Sequence, residues 1–154
     1  MRDEPDLLPK VFSGVVENFA YMFAEAPEEG EFPHGEPPFV MARMTFSGPV
    51  KGTLYMGAPE AMCRDLAANV LGLKPGDEAA PHLPRDAFQE LLSVTCGHLL
   101  TAMAGEDPVF ELAPPEMATL DQKGWETFAA APGAVQLVVD EHPVLLRLIK
   151  LPES

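Results

Sequence analysis

Apolar positions along the chain follow helical and strand periods that are interrupted by proline-rich breaks. From about Leu7 to Ala26, Leu8, Phe12, Val15, Phe19 and Met22 recur at i, i+4, i+7, i+11 and i+14, which predicts an amphipathic helix. The Pro/Gly/Glu-rich stretch from Pro27 to Pro38 closes it as a loop. Phe39 to Phe46 and Thr53 to Met56 have strand character on either side of the turn segment SGPVKG, so a hairpin is expected. Pro59 suits the first position of a second helix, whose Met62, Leu66, Val70 and Leu73 share a face and which Gly72 and Pro75 end. A polar connection, Lys74 to Pro84, precedes a third helix from near Arg85 to about Ala104, with Gly105 as its stop. Val109 to Leu112 then reads as a short strand ending at Pro114 and Pro115. Trp125 to Ala130, Ala134 to Asp140 and Val144 to Lys150 read as three more strands, with turns at Pro132-Gly133 and Glu141-His142-Pro143.

Two strands after one helix, two further helices and then about four strands predict an α+β fold, a mostly antiparallel sheet covered by helices. The 154 residues suffice for a single domain spanning 1–154 with its own core. The balance of 24 acidic against 10 basic side chains, net -14, argues against nucleic acid and anionic membranes, which are held through clustered Lys and Arg. No apolar run reaches the length of a membrane span, and MRDEPDLLPK lacks the basic start and apolar stretch of a signal peptide, so the expected compartment is the cytoplasm. Cys63 and Cys96 sit in helical patterns among apolar neighbours and read as buried free thiols. His34, His82, His98 and His142 have no metal-ligand spacing, and no metal site is expected. A P-loop, a dinucleotide-binding glycine fingerprint, a nucleophile elbow and a HExxH helix are also missing.

The third helix carries the candidate chemistry. At about 100° per residue, Asp86, Glu90, Ser93, Gly97 and Thr101 fall within one narrow strip, and Phe88, Leu92, Thr95, Leu99 and Met103 lie opposite. An amphipathic helix packed on a sheet looks the same whether or not its polar face does anything. Gly97 distinguishes this one, because an interior glycine costs about 1 kcal/mol relative to Ala and a merely solvated face gains nothing from it. A partner approaching closely does gain.

The segment DAFQELLSVTCG resembles the signature helix of the CheC/CheX chemotaxis phosphatases, Asp-x-x-x-Glu-x-x-Asn with a Gly four residues after the Asn, and the single-motif CheX-like members most of all. Asp86, Glu90 and Gly97 match, while Ser93 stands in the place of the Asn. VKGTLYMGAPEAMCRDLAANVLG and FELAPPEM resemble the flanking strand-helix and strand segments, so the likeness runs over roughly Val11 to Lys150. It implies a CheC-like fold, a homodimer formed through the sheets, and hydrolysis of the aspartyl phosphate of a phosphorylated CheY-type response regulator. It further implies that Glu90 contacts the regulator's lysine and that the residue at 93 orients the attacking water. Asp86, Glu90 and Gly97 would then bind the partner and Glu90 with Ser93 would act in catalysis. No cofactor of the chain's own is implied, because the regulator carries the Mg2+ and phosphate cradle; such a reaction asks mainly for positioning.

A serine has a shorter reach than an asparagine and one rotating hydroxyl in place of an amide. Ser93 would hold water about 1 Å further from phosphorus, a displacement that costs on the order of 100-fold in rate. Gln89 points about 100° away from Glu90 and Thr101 lies two turns on, so neither replaces the amide. Three readings stay open here: a weak or altered phosphatase, a non-catalytic module that binds a receiver domain or another signalling partner, and a structural or unrelated role. Glu17-Asn18 and Asn69 lack the Glu-x-x-Asn spacing, so a second active helix of the kind two-motif members carry is not supported. Trp125 reads as a core or interface residue in a strand, and His98 as an imidazole on the flank of the strip.

Overall fold

The structure, a computed structural model, describes residues 6–28, 30–74, 77 and 80–151. In chain order the elements are α1 (Leu7–Ala20), β1 (Ala24–Glu25), β2 (Phe39–Ser47), β3 (Gly52–Pro59), α2 (Glu60–Leu71), α3 (Leu83–Ala104), β4 (Glu111–Leu112), β5 (Glu116–Leu120), α4 (Gln122–Ala130), β6 (Val135–Val139) and β7 (His142–Lys150). The strands form one seven-stranded sheet in the order β1-β6-β7-β3-β2-β4, with β5 also pairing β2, and every pairing is antiparallel. The α+β fold expected from the sequence is the one observed.

Alternation along the strands sends side chains to two different layers. Val40, Ala42, Met44 and Phe46 of β2, Leu54, Met56 and Ala58 of β3, and Val144 and Leu146 of β7 meet the apolar faces of α1, α2 and α3 in the main core. The intervening residues Phe39 and Leu145 point the other way, where they enclose a second cluster with Trp125 and Phe128 of α4. Trp125 stacks on Phe39 with ring centroids 4.4 Å apart and planes 9° from parallel. Gly57 of β3 permits this seat, since a Cβ there would come within 3.1 Å of Phe128 and 3.2 Å of Trp125.

Three elements differ from the sequence expectation. Trp125–Ala130 is helix and not strand: the Asp121 side chain accepts a 2.7 Å hydrogen bond from the Gly124 N–H and caps α4, and Trp125 and Phe128 then share one helical face at i, i+3. Expected to reach Ala26, the first helix stops at Ala20, because Tyr21 adopts a left-handed conformation (φ 56°) and the Tyr21 and Met22 N–H groups bond back to the Glu17 and Val16 carbonyls. The chain turns there, and Ala24–Glu25 pairs with Val138 and Val139 as an edge strand. β5, with the polar sequence EMATL, was not foreseen; it forms because Glu116–Leu120 follows the outer edge of β2. The helix stop at Gly72 is observed (φ 68°), whereas Pro75 lies outside the described residues.

Thr95 is the one fully buried polar side chain of the core among the described residues, and its hydroxyl has no hydrogen-bond partner. A buried unsatisfied hydroxyl costs about 1 kcal/mol or more, and valine has the same shape without it. Thr95→Val is therefore expected to raise the unfolding free energy by about 1 kcal/mol in urea titration, while Thr95→Ser, which keeps the hydroxyl and loses the methyl, lowers it.

Candidate functional site

The site is built on α3, which spans 22 residues with Pro84 in its first turn and Gly105 (φ 84°) at its end. Phe88, Leu91, Leu92, Thr95, Cys96, Leu99, Leu100 and Met103 are buried, so more than half the circumference of the helix is committed to the core. What remains outward is the polar strip read from the sequence. Asp86, Glu90 and Thr101 are exposed, and Ser93 and Gly97 are half-buried between them. Asp86 lies in the first turn, where the helix dipole favours a carboxylate, and its Oδ2 is 3.9 Å from His82 Nε2.

Polar contacts pin one flank of the strip. Arg85 Nη2 donates to Thr119 Oγ1 of β5 at 3.0 Å and lies 3.7 Å from Glu60 Oε1 of α2, and Gln89 Nε2 donates to the Pro115 carbonyl at 3.4 Å. Gln89 is thus turned away from Glu90, as its helical position requires. The Glu90 carboxylate and the Ser93 hydroxyl make no hydrogen bond or ion pair with any described residue. Both point outward without an internal role. Gly97 also answers to nothing inside the molecule: a Cβ placed on it would have no atom within 4 Å.

On the other flank, an open groove of about 980 Å³ runs along the surface where α1 packs on α3. Its walls include Val11, Val15 and Phe19 of α1 and Val94 of α3, with Gly14 and Gly97 also lining it and Asn18, His98 and Thr101 on the rim. His98 is exposed on this rim. Asn18 is also exposed, its Nδ2 donating to the Gly14 carbonyl at 2.8 Å. This groove is not legible in the sequence, because only the packing of α1 on α3 brings Gly14 and Gly97 together. The single available signal was that each helix carries an interior glycine.

Residues 40–136 of the chain match the protein family described as chemotaxis phosphatase CheX. The chain belongs to the CheX family. No curated protein matches it in sequence. Solved structures of similar fold include CheX chemotaxis proteins from Desulfovibrio desulfuricans (12% identity, TM-score 0.67, 95% of this chain and 97% of that one) and Vibrio vulnificus (14%, 0.67, 98% and 99%). Another is the complex of CheX with CheY, BeF3 and Mg from Borrelia burgdorferi (13%, 0.59, 97% and 99%). At these identities the likeness establishes the CheX fold, with α3 as the helix bearing DAFQELLSVTCG.

Other reactive groups of this CheX-family chain are placed away from the strip. Cys63 of α2 and Cys96 of α3 are buried, and desolvation pushes their thiols up to about 12 and about 11. Neither is a nucleophile at neutral pH. His142 joins Asp65 at 2.6 Å, tying β7 to α2, and among the described residues no group of three or more His, Cys, Asp or Glu side chains is arranged to hold a metal. No described helix is long and apolar enough to cross a membrane.

The thiols yield a pH prediction. With both held protonated in the fold above their ordinary value of 9.0, the unfolded chain releases protons that the native one keeps, so stability is fully present below about pH 9 and declines as pH rises toward 11 and 12. Thermal melts across that range are expected to show the decline, and Cys63→Ala/Cys96→Ala to flatten it. Ellman's reagent at pH 8 should label neither thiol until denaturant is added.

Proposed function

We propose that the chain is a cytoplasmic CheX-family protein that docks a phosphorylated CheY-type receiver domain on the outward strip of α3 and hydrolyses its aspartyl phosphate. The observation that carries this reading is that Glu90 and the Ser93 hydroxyl stand side by side with no hydrogen bond or ion pair to any described residue, with an internally unexplained Gly97 one turn on, all on a helix fixed by its opposite face. The Borrelia burgdorferi CheX, caught with CheY, BeF3 and Mg, supports the choice of partner.

In this mechanism Glu90, exposed and anionic, contacts a lysine of the receiver and fixes the register of the two proteins. The open surface at Gly97 lets the receiver come close. The Ser93 hydroxyl accepts a hydrogen from a water and holds it in line with the phosphorus and the departing aspartate oxygen. Attack yields inorganic phosphate and regenerates the carboxylate. The receiver supplies Mg2+ and the phosphate cradle, so the chain needs neither a pocket nor a cofactor, and its whole contribution is position. A serine places the water about 1 Å further off than an amide does, so the reaction is slow.

A second reading, a binding module without activity, draws on the same Ser93. Three substitutions separate the two. Glu90→Ala is expected to weaken binding of a beryllofluoride-loaded receiver. Ser93→Asn is expected to raise dephosphorylation about tenfold or more at unchanged affinity, since water alignment acts on the barrier and docking contacts act on both states. With Ser93→Ala, loss of the residual rate supports the enzyme, and background hydrolysis by wild type and variant alike supports the module. If Glu90→Ala changes neither binding nor rate, the strip is only a solvated face.

The protein is further proposed to work as a homodimer formed through the sheets. Light scattering at micromolar concentration should give twice the 16.7 kDa of one chain, and a monomer mass removes the claim.

A further inference from the structure

We infer that the groove between α1 and α3 seats an α-helix of the receiver partner, apolar along the face it presents and basic where it passes Glu90. The inference rests on the proposed docking of a receiver on α3 and adds which element of that receiver is held and where. Other described glycines have internal reasons: Gly72, Gly105 and Gly133 take positive φ, Gly57 makes room for Trp125 and Phe128, and a Cβ on Gly124 would come within 3.3 Å of its cap Asp121. Gly14 and Gly97 have none. Both sit in helix interiors, where glycine destabilises, and both have empty space at the Cβ position. Both line one groove, where the missing side chains widen it and bring bare backbone to its surface.

The shape and charge of the groove select the occupant. Its walls are two helices whose backbone groups are satisfied internally, so there is no ladder for a strand to join, and an apolar helix face is the complementary surface. Lys10 of α1 and Glu106 are the charged residues of the groove's own lining; beyond it, Asp86 and Glu90 continue the α3 side as an acidic run, and the one Lys or Arg of α3, Arg85, is already engaged with Thr119 and Glu60. A helix lying here must bring its own cation to that end, which suits a chain of net charge -14.

The test measures fold stability and binding on the same variants. Gly14→Ala and Gly97→Ala are each expected to raise the melting temperature by about 2–4 °C, as a helix-favouring residue does where it meets nothing, and yet to weaken binding of beryllofluoride- and Mg2+-loaded receiver domains by tenfold or more in calorimetric titration. Thr101→Lys, on the exposed rim, should weaken binding in the same way without disturbing the fold. If the glycine variants and Thr101→Lys bind as the wild type does while Glu90→Ala fails to, the groove is not used and receiver docking still stands. If the glycine variants lower the melting temperature, the glycines serve the fold and the inference falls. Should they abolish self-association in sedimentation and leave receiver binding intact, the occupant is a second copy of this chain and the inference is again overturned. No binding of any receiver by the wild type overturns the inference together with the proposed function.

Discussion

Everything proposed for this molecule depends on the burial of one side of α3. Eight of its residues, from Phe88 to Met103, are packed against the sheet, α1 and α2. Removing a Leu or Phe side chain from water contributes about 1.5–3 kcal/mol, so rotating this helix would expose several such groups at once. The outward strip inherits that rigidity. Glu90, Ser93 and Gly97 keep fixed mutual positions although the Glu90 and Ser93 side chains make no hydrogen bond or ion pair with any described residue, and a surface whose sole contribution is placement has to be held from behind. The Arg85 and Gln89 contacts to β5 add a lateral restraint on the end that carries Asp86 and Glu90.

How much of this was legible in the sequence follows the range of the interactions involved. The strip on α3 was readable because it depends on helical periodicity alone, and the Phe88, Leu92, Thr95, Leu99 and Met103 face is buried as that period requires. The β2–β3 hairpin and the β6 and β7 strands were readable from their alternation and turn residues. α4 was misread because Trp125 and Phe128 are strand-favouring side chains, and the deciding contact, Asp121 on the Gly124 N–H, is a cap whose sequence signal lies outside the apolar run. β5 carries no apolar alternation of its own and is a strand only because β2 offers it an edge. The helix α1 ends where Tyr21 enters a left-handed conformation usually given to glycine, and the buried Met22 prolonged the apolar period past the true stop. The groove needed two helices distant in sequence to come together.

The charge of the chain takes on a more specific meaning once the fold is known. An excess of acidic groups, taken as a net charge, disfavours a phosphate backbone. On α3 it also leaves two carboxylates beside an apolar groove without a competing cation of the helix's own. For the proposed partner, sign would act before shape, because charge reaches over a Debye length while shape acts only on contact.

Trp125 is the single tryptophan of the chain, and it lies 3% exposed against Phe39 on the sheet face opposite α3. Its emission therefore comes from a dry aromatic stack that forms only when α4 closes on β2, β3 and β7, and the bulk of the sheet separates that stack from any protein bound at the strip. The molecule carries an optical label of its own, one that reports the assembly of the scaffold from the face opposite the strip.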